Sequence, residues 1–434
     1  SPTSSTFTFI KSEQNLLEET NDKRIKDYTL EYVLNKHNIG YAPYDYLAGS
    51  GQYFHPNFLM MIKTTDVVLK EDTKDTCYIY YRNVVLEITK DSIKELDYVD
   101  IDGFVWKRQI IDRDYRMVDH HDAVYRKFIW LISGQDQQRY NSFKSVIGYL
   151  MHSFKTSANN KAIIFNDETI SENPNGGSGK GLFWNALKYM KKVSVIDGKT
   201  FEFTKSFPYQ TVSTDTQILV FDDVKKNFNF ESLFSLITEG ITLEYKGQDA
   251  IQIPVEKSPK ILITTNYTLG GVGGSHERRK FEIEMSSYFN YQNTPLDVFG
   301  HMLFTDWDEE EWLRFDNYMI QCEQYYLQNG LVSHEFNNLE SRKFIKETCF
   351  EFYQWTNDGS LRVGERLDKD IYFEAFIGEY TDFKKHLSKR KFTKWMETWG
   401  YFKGYEVTSG KSHNMRWTHF KSDDDFSNID DNNL

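Results

Sequence analysis

Cysteine, proline, long apolar runs and net positive charge are all scarce in this chain of 434 residues. Its three cysteines, Cys77, Cys322 and Cys349, are scattered without pattern. That excludes a disulfide framework or a zinc module and favours a reducing, cytoplasmic setting. No apolar stretch approaches the ~18 residues that a membrane-crossing helix needs, and no secretory core opens the chain. With only 8 prolines and with 39% hydrophobic and 16% aromatic residues, there is material for substantial cores, enough for about three domains. Basic residues number 52 against 64 acidic ones, a net charge of −12. A surface of that sign excludes nonspecific coating of a polyanion, so any basic contacts must be concentrated locally, as in the channel of a ring.

The most informative run is Asn173-Pro174-Asn175-Gly176-Gly177-Ser178-Gly179-Lys180-Gly181. The apolar residues 162–165 before it read as a buried strand. After it, Leu182, Phe183, Ala186, Leu187 and Met190 recur at helical spacing. Strand, glycine turn and helix form the setting of a phosphate cradle, in which backbone N–H groups and a helix N-terminus face phosphate oxygens and Lys180 reaches the β/γ-phosphates. Two positions depart from the pattern G-x-x-x-x-G-K-[ST]: Pro174 stands at the first glycine, and Gly181 at the hydroxyl residue that ordinarily ligates Mg²⁺. Taken alone, the run is equally a glycine-rich turn that precedes a lysine.

Further elements follow in order. Residues 193–196 give a short strand, and residues 217–223 an apolar strand ending in Asp222 and Asp223, where one acid can hold hydrated Mg²⁺ and the other orient water. A helix with Phe230, Leu233, Phe234 and Ile237 on one face stops at Gly240. Residues 241–245 and 250–255 flank the turn Lys246-Gly247-Gln248-Asp249, a hairpin signal. The strand at 260–266 ends in Asn266, which can bond a γ-phosphate or the lytic water. Arg278 and Arg279 then precede a strand at 281–284, and an arginine there can act in trans across a subunit boundary, a contribution of ~10³–10⁵ in rate.

Outside this stretch the signals are weaker. Strands are expected at 77–81 and 84–88, and a helix where Phe143, Val146, Ile147, Leu150 and Met151 share a face. Asp100-Ile101-Asp102 and Asp112-Arg113-Asp114 have a metal-dyad spacing but read as solvated loop carboxylates. Asp119-His120-His121-Asp122 reads as a charged helix start, because neighbours on a helix diverge by about 100°. Near the C-terminus, Ser388 caps a helix with Phe392, Trp395, Met396 and Trp399 inside and Arg390, Lys391 and Lys394 outside. A hairpin follows with its turn at Ser409-Gly410-Lys411-Ser412 and Arg416 in the return strand, the plan of a winged helix, which often places its basic helix in a DNA groove and otherwise docks protein or is purely structural.

Cradle, paired acids, basic-tipped hairpin, Thr264-Thr265-Asn266 and arginines, in that order, resemble the superfamily III helicases, AAA+ motors of small viruses, phages and plasmids. The wider chain resembles the primase-helicase type proteins of Bacteroidetes phages and mobile elements, through Tyr98-Val99-Asp100-Ile101-Asp102-Gly103-Phe104-Val105-Trp106 and His301-Met302-Leu303-Phe304-Thr305-Asp306-Trp307. The resemblance implies an α/β fold: an AAA+ P-loop NTPase core at 156–290, an N-terminal mixed α/β domain at 1–155, a helical lid or linker at 291–340, a winged-helix domain at 341–420 and an acidic disordered tail at 421–434. It implies ATP and Mg²⁺ as cofactors, single-stranded or forked DNA as partner, a homo-hexameric ring, contact with other replication proteins, and a bacterial host cytoplasm.

Carried onto these residues, Asn175, Gly176, Gly177, Ser178, Gly179, Lys180, Gly181 and Leu182 hold the nucleotide, Asp222 and Asp223 the metal, Asn266 is the sensor and Arg278 or Arg279 the finger. Lys246, Gln248, Arg390, Lys391, Lys394, Lys411 and Arg416 face DNA. Because Gly181 lacks a hydroxyl, Mg²⁺ is expected to be held by nucleotide oxygens, water and the acids, with weakened affinity. The implied activity is ATP-dependent unwinding or translocation. The alternatives are an AAA+ initiator or switch that does not unwind processively, and a scaffold with a degenerate loop. Retention of Asp222, Asp223, Asn266 and the arginines argues against the scaffold.

Overall fold

The computed structural model describes residues 8–36, 40–62, 64–168, 177–225, 228–267, 269, 274–336, 341, 344–345, 347–412 and 415–421. At the N-terminal end, β1 (Ile10–Glu13) and β2 (Leu16–Glu19) form an antiparallel pair, followed by α1 (Asp22–Leu34), α2 (Ala42–Gly49) and α3 (Pro56–Leu59). Next come β3 (Thr76–Tyr80), β4 (Val85–Thr89) and β5 (Ile93–Leu96), an antiparallel meander, and β6 (Val105–Trp106), which pairs with β2. Alternation sends successive side chains of a strand to opposite faces. Here Cys77, Ile79, Leu86 and Ile88 enter the main core, while Tyr78, Tyr80 and Val85 close a small cluster with Ile101 and Val105. Asp100, Asp102, Asp112 and Asp114 are exposed, and Arg82 lies 3.0 Å from Asp114. The 119–122 run forms a turn, in which His121 bonds Asp119, ahead of α4 (Val124–Ile132) rather than the first turn of that helix.

The centre of the chain is a sheet of five parallel strands: β7 (Ala162–Asp167), β8 (Val193–Asp197), β9 (Ile218–Val224), β12 (Lys260–Thr265) and β13 (Lys280–Met285). Their order across the sheet is β13-β7-β12-β9-β8. The runs 162–165, 218–221 and 261–263 of the central strands are wholly apolar, as strands buried on both faces require, and the polar residues gather at the strand ends. On one face Ile163, Phe165, Val220 and Leu262 pack beneath α5 (Gln137–Met151), α6 (Lys180–Leu187) and α10 (Glu309–Asn329). On the other, Ile164, Leu219, Phe221 and Ile263 meet Leu233 and Ile237, the latter in α7 (Phe234–Thr238). The first core takes residues from β3 through α10, so it runs without a break across positions 155 and 291. The contact of α5 with α10 is close: a Cβ on Gly148 would overlap the Cys322 carbonyl and lie 2.5 Å from Cβ of Tyr326.

Between α7 and β12 the hairpin β10 (Gly240–Leu243) and β11 (Ile251–Pro254) pairs Leu243 with Ile251, leaving residues 244–250 as its connection. Two short helices, α8 (Gly274–Glu277) and α9 (Pro295–Phe299), flank β13. The C-terminal body has its own core. It comprises helix Phe350–Asn357, β14 (Arg366–Asp368), helices Lys369–Glu379 and Lys389–Phe402, then β15 (Glu406–Ser412) and β16 (Met415–Lys421). Ser388 caps the last helix by accepting from the Lys391 N–H. The turn expected at 409–412 is displaced. Those residues continue β15, and Ser412 pairs with Met415. Gly410 is small because the Trp417 ring crosses it, 2.6 Å from where a Cβ would stand.

Candidate nucleotide site at the carboxyl edge of the parallel sheet

All five strands run the same way, so their C-terminal ends share one edge, where loops converge. The strand order then decides which residues meet. Because β12 lies between β7 and β9, Asn266 at its end falls between Asp167, which ends β7, and the acids near the end of β9. Gly179 caps α6 with φ +95, and a Cβ there would sit 3.0 Å from the Phe128 ring. Only glycine takes that conformation at no steric cost. Lys180 opens the helix, and its Nζ lies 2.6 Å from Asp167 Oδ2, 2.5 Å from Asn266 Oδ1 and 3.0 Å from the Thr265 carbonyl. Asn266 passes the contact on, its Nδ2 donating to Asp223 Oδ1 at 3.1 Å.

Adjacent residues of a regular strand point to opposite faces, yet Asp222 and Asp223 both join this network. The reason is a bulge: Phe221 pairs with Ile263 and Val224 with Thr265, so two acids stand opposite Thr264. Asp223 takes φ +54 there. Its N–H donates to Thr264 Oγ1 at 2.7 Å, and that hydroxyl donates to Asp222 Oδ1 at 2.7 Å. Trp184 Nε1, one turn into α6, also donates to Asp222 Oδ1, at 3.2 Å. Lys199, from the turn after β8, lies 2.5 Å from Asp223 Oδ2. Lys180 and Lys199 therefore face Asp167, Asp222 and Asp223 across the sheet edge.

The other expected residues are distributed as follows. Gly177, with φ +109, and Ser178 lead into α6, and Gly181 and Leu182 lie in its first turn. Asn175 and Gly176 lie outside the described residues. A Cβ on Gly181 meets nothing within 4 Å. Arg278 and Arg279 stand just before β13, where Lys280 pairs with Ala162 at the start of β7. That is the amino edge of the sheet, roughly 16–20 Å of strand from Asp167, so these arginines do not meet Lys180 within one chain. Arg279 lies 4.5 Å over the Phe234 ring and donates to the Ser275 carbonyl, whereas Arg278 is exposed.

Lys246 and Gln248 are exposed at the hairpin tip, whose root is held by Tyr245 Oη donating to the Val212 carbonyl at 2.6 Å. Arg390, Lys391 and Lys394 are exposed on one helix of the C-terminal body, and Lys411 pairs in register with Arg416 on its hairpin. Among the described residues no group of three or more His, Cys, Asp or Glu side chains is arranged to hold a metal on its own.

Four residues of the site carry little sequence signal. Asp167 ends the strand before the loop and was open to the same reading as Asp222. Thr264 and Trp184 act through the bulge and the packing of α6, and Lys199 is one lysine in a turn, with nothing in its neighbours to mark it.

Residues 172–279, which span most of this site, match the profile of a family of unknown function (DUF5906). No curated protein matches the chain. Among solved structures it is similar to the A form apo structure of the NrS-1 C-terminal region, at 11% identity and a TM-score of 0.40, over 95% of this chain and 93% of that one. A second structure of that region, residues 305–718, gives 11% identity and a TM-score of 0.34 over 80% of this chain and 96% of that one.

Proposed function

We propose that the chain is an ATP-driven DNA helicase or translocase that serves replication of a phage or mobile element. The observation that carries this reading is the continuous path Lys180–Asn266–Asp223 at the carboxyl edge of a parallel sheet. A lysine for phosphate, an amide for the γ-phosphate or lytic water, and a carboxylate for that water are what phosphoryl transfer asks of a protein, since its catalysis is positioning and charge stabilisation. Asp222, bonded by Thr264 and Trp184, is fixed in orientation. Asp223 is the acid whose partners, Asn266 and Lys199, are polar side chains free to exchange.

The donor set suits Mg²⁺, which binds through one or two carboxylates, phosphate oxygens and water. Asp222 and Asp223 would hold it, and it would neutralise charge on the phosphates. Arg278, exposed and at the far edge, suits a role on a neighbouring subunit's nucleotide, and this supports a ring with ATP between subunits. The basic tip at Lys246 and the helix-and-hairpin body carrying Arg390, Lys391, Lys394, Lys411 and Arg416 supply contacts for a strand and a duplex, the latter in the manner of a winged helix.

The test is unwinding of forked DNA with ATP, alongside native mass. The parent is expected to unwind as an oligomer, Lys180→Ala to lose both hydrolysis and unwinding, and Lys246→Ala to keep hydrolysis while losing unwinding. Hydrolysis without unwinding in the parent, with Lys246→Ala silent, would favour an initiator or switch. Unwinding by Lys180→Ala, or a strict monomer in the presence of DNA and nucleotide, would overturn the proposal.

A further inference from the structure

A second polar site lies at the opposite, amino edge of the sheet. A solvent-open cavity of about 820 Å³ lies between β3, the segment after α5, the end of α6 and the starts of β9 and β12. Small-molecule sites occupy roughly 300–1,000 Å³. Lysines and arginines outnumber carboxylates on its walls nine to five, in a chain whose net charge is −12. The excess is therefore local, not a reflection of composition.

Three ammonium groups converge there from separate elements: Lys155 beyond α5, Lys191 beyond α6 and Lys260 at the first position of β12. Lys155 is 4% and Lys260 1% exposed. Their neighbours satisfy them only in part. Lys155 donates to the Ser258 carbonyl, and Lys260 donates to the Tyr149 carbonyl and rests 3.8 Å from the centre of the Tyr149 ring. Among the described residues none of the three has a carboxylate within ion-pair distance.

The acids on the walls have partners of their own, although Asp72 also acts on Lys191 and Glu256 on Lys155. Glu71 pairs with Lys257, and Asp215 with Lys192 and Arg108. Asp72 accepts from the Tyr78 and Ser153 N–H groups and from the Ser153 hydroxyl. Burial pushes the Lys155 ammonium down to about 8. Burial, with Lys155 and Lys191 beside it, lowers Lys260 as well, whereas Asp72 raises Lys191 against its burial; two buried like charges such as Lys155 and Lys260 are unfavourable unless an anion joins them. Trp106, Tyr78 and Tyr80 also line the cavity, with Arg108 over the Trp106 ring and Lys70 over the Tyr78 ring, so it offers aromatic side chains as well as cationic groups.

We propose that this cavity is a phosphate site, distinct from the Lys180 loop, that takes the phosphate monoester of a nucleotide with Lys155, Lys191 and Lys260 on the phosphate and the aromatic side chains beside the base. A free nucleotide and the 5′-end of a DNA strand both present that group.

The full chain carrying Lys180→Ala, which silences the first site, is titrated calorimetrically with dTMP, with a 5′-phosphorylated oligothymidylate and with the same strand lacking the 5′-phosphate. Saturable binding of dTMP, or of the phosphorylated strand over the unphosphorylated one, is expected. The tighter of the two identifies the source. Lys155→Met and Lys191→Met should each weaken that binding about tenfold. The thermal midpoint of the unliganded Lys155→Met chain should hold or rise, because a buried charge is replaced by an apolar chain of similar length. Lys191 is half-buried, so its variant reports even if Lys155→Met fails to fold. No phosphate-dependent binding at millimolar ligand, equal binding of the two strands without dTMP binding, or binding that survives the methionine changes would overturn the proposal.

Discussion

The side-chain amide of Asn266 bridges a group on helix α6 and one on strand β9: its oxygen accepts from Lys180 at 2.5 Å and its nitrogen donates to Asp223 at 3.1 Å. On the proposed function, a change in what Lys180 holds reaches Asp223 through this amide. Asn266→Ala breaks the relay without removing either charge. The expected outcome is a fall in ATP turnover of about 10²-fold, the scale of losing one oriented donor at a developing charge, with nucleotide affinity changed only a few-fold. Steady-state turnover beside equilibrium nucleotide binding checks this. A parallel loss of affinity would make Asn266 a binding residue instead.

Gly181 departs from the hydroxyl residue expected at that position, and the structure leaves room for one, since a Cβ there meets nothing within 4 Å. Gly181→Ser should therefore fold as the parent does and lower the Mg²⁺ concentration needed for half-maximal turnover. A metal titration of the two proteins reads it directly. An unchanged titration would mean that Asp222 and Asp223 already complete the metal's ligands.

Arg278 and Arg279 are neighbours with separable roles. Arg279 lies over Phe234, so Arg279→Ala should lower stability by about 1 kcal/mol through the lost cation–π contact. Arg278 is exposed, so Arg278→Ala should leave the melting temperature alone and reduce turnover by ~10³-fold or more if it acts as a finger in trans. Thermal denaturation and turnover, measured on both variants, separate the two. Full activity in Arg278→Ala would remove the finger from this position.

Gly148 is the point where α5 and α10 touch, and a methyl there would overlap the Cys322 carbonyl. Backbone cannot move aside as a flexible side chain can. Gly148→Ala should destabilise the chain by about 3 kcal/mol, whereas Gly181→Ala, in open space, should be close to neutral. Chemical denaturation of the pair tests the assignment. Equal stabilities would mean that the helices separate more easily than their packing indicates.

What was legible in the sequence was whatever sits in one short run. The glycine turn before Lys180, the apolar strand ending in Asp222-Asp223, the Lys246 hairpin and the Asn266 strand end all announce themselves locally. Features that depend on pairing across strands did not. The bulge that aims both acids at one network is set by two residues of β9 facing Thr264 alone, and no local pattern marks it. Gly410 read as a turn glycine because its real constraint, the Trp417 ring, comes from the opposite strand. Lys155, Lys191 and Lys260 are far apart in the chain, and only the order of strands brings them to one cavity.

Glu323 shows the same dependence on long-range packing and gives a pH test. Its side chain on α10 is fully buried, and burial, reinforced by Asp72, pushes it from 4.5 up to about 8. The folded chain thus keeps a proton that the unfolded chain releases, so the stability Glu323 contributes is complete below pH 4.5 and is lost as pH rises toward 8. Two neighbours work in the opposite sense. His152, lowered from 6.5 to about 4 by burial, has made its full contribution above pH 6.5. Lys155, lowered from 10.5 to about 8, begins to add stability only above that value. Of these three groups, Glu323 alone acts between pH 6.5 and about 8. The parent should lose up to about 1.4 kcal/mol per pH unit across that interval relative to Glu323→Gln. Urea denaturation of both proteins at each end of the interval measures the difference, and identical slopes would show that Glu323 is ionised in the folded chain.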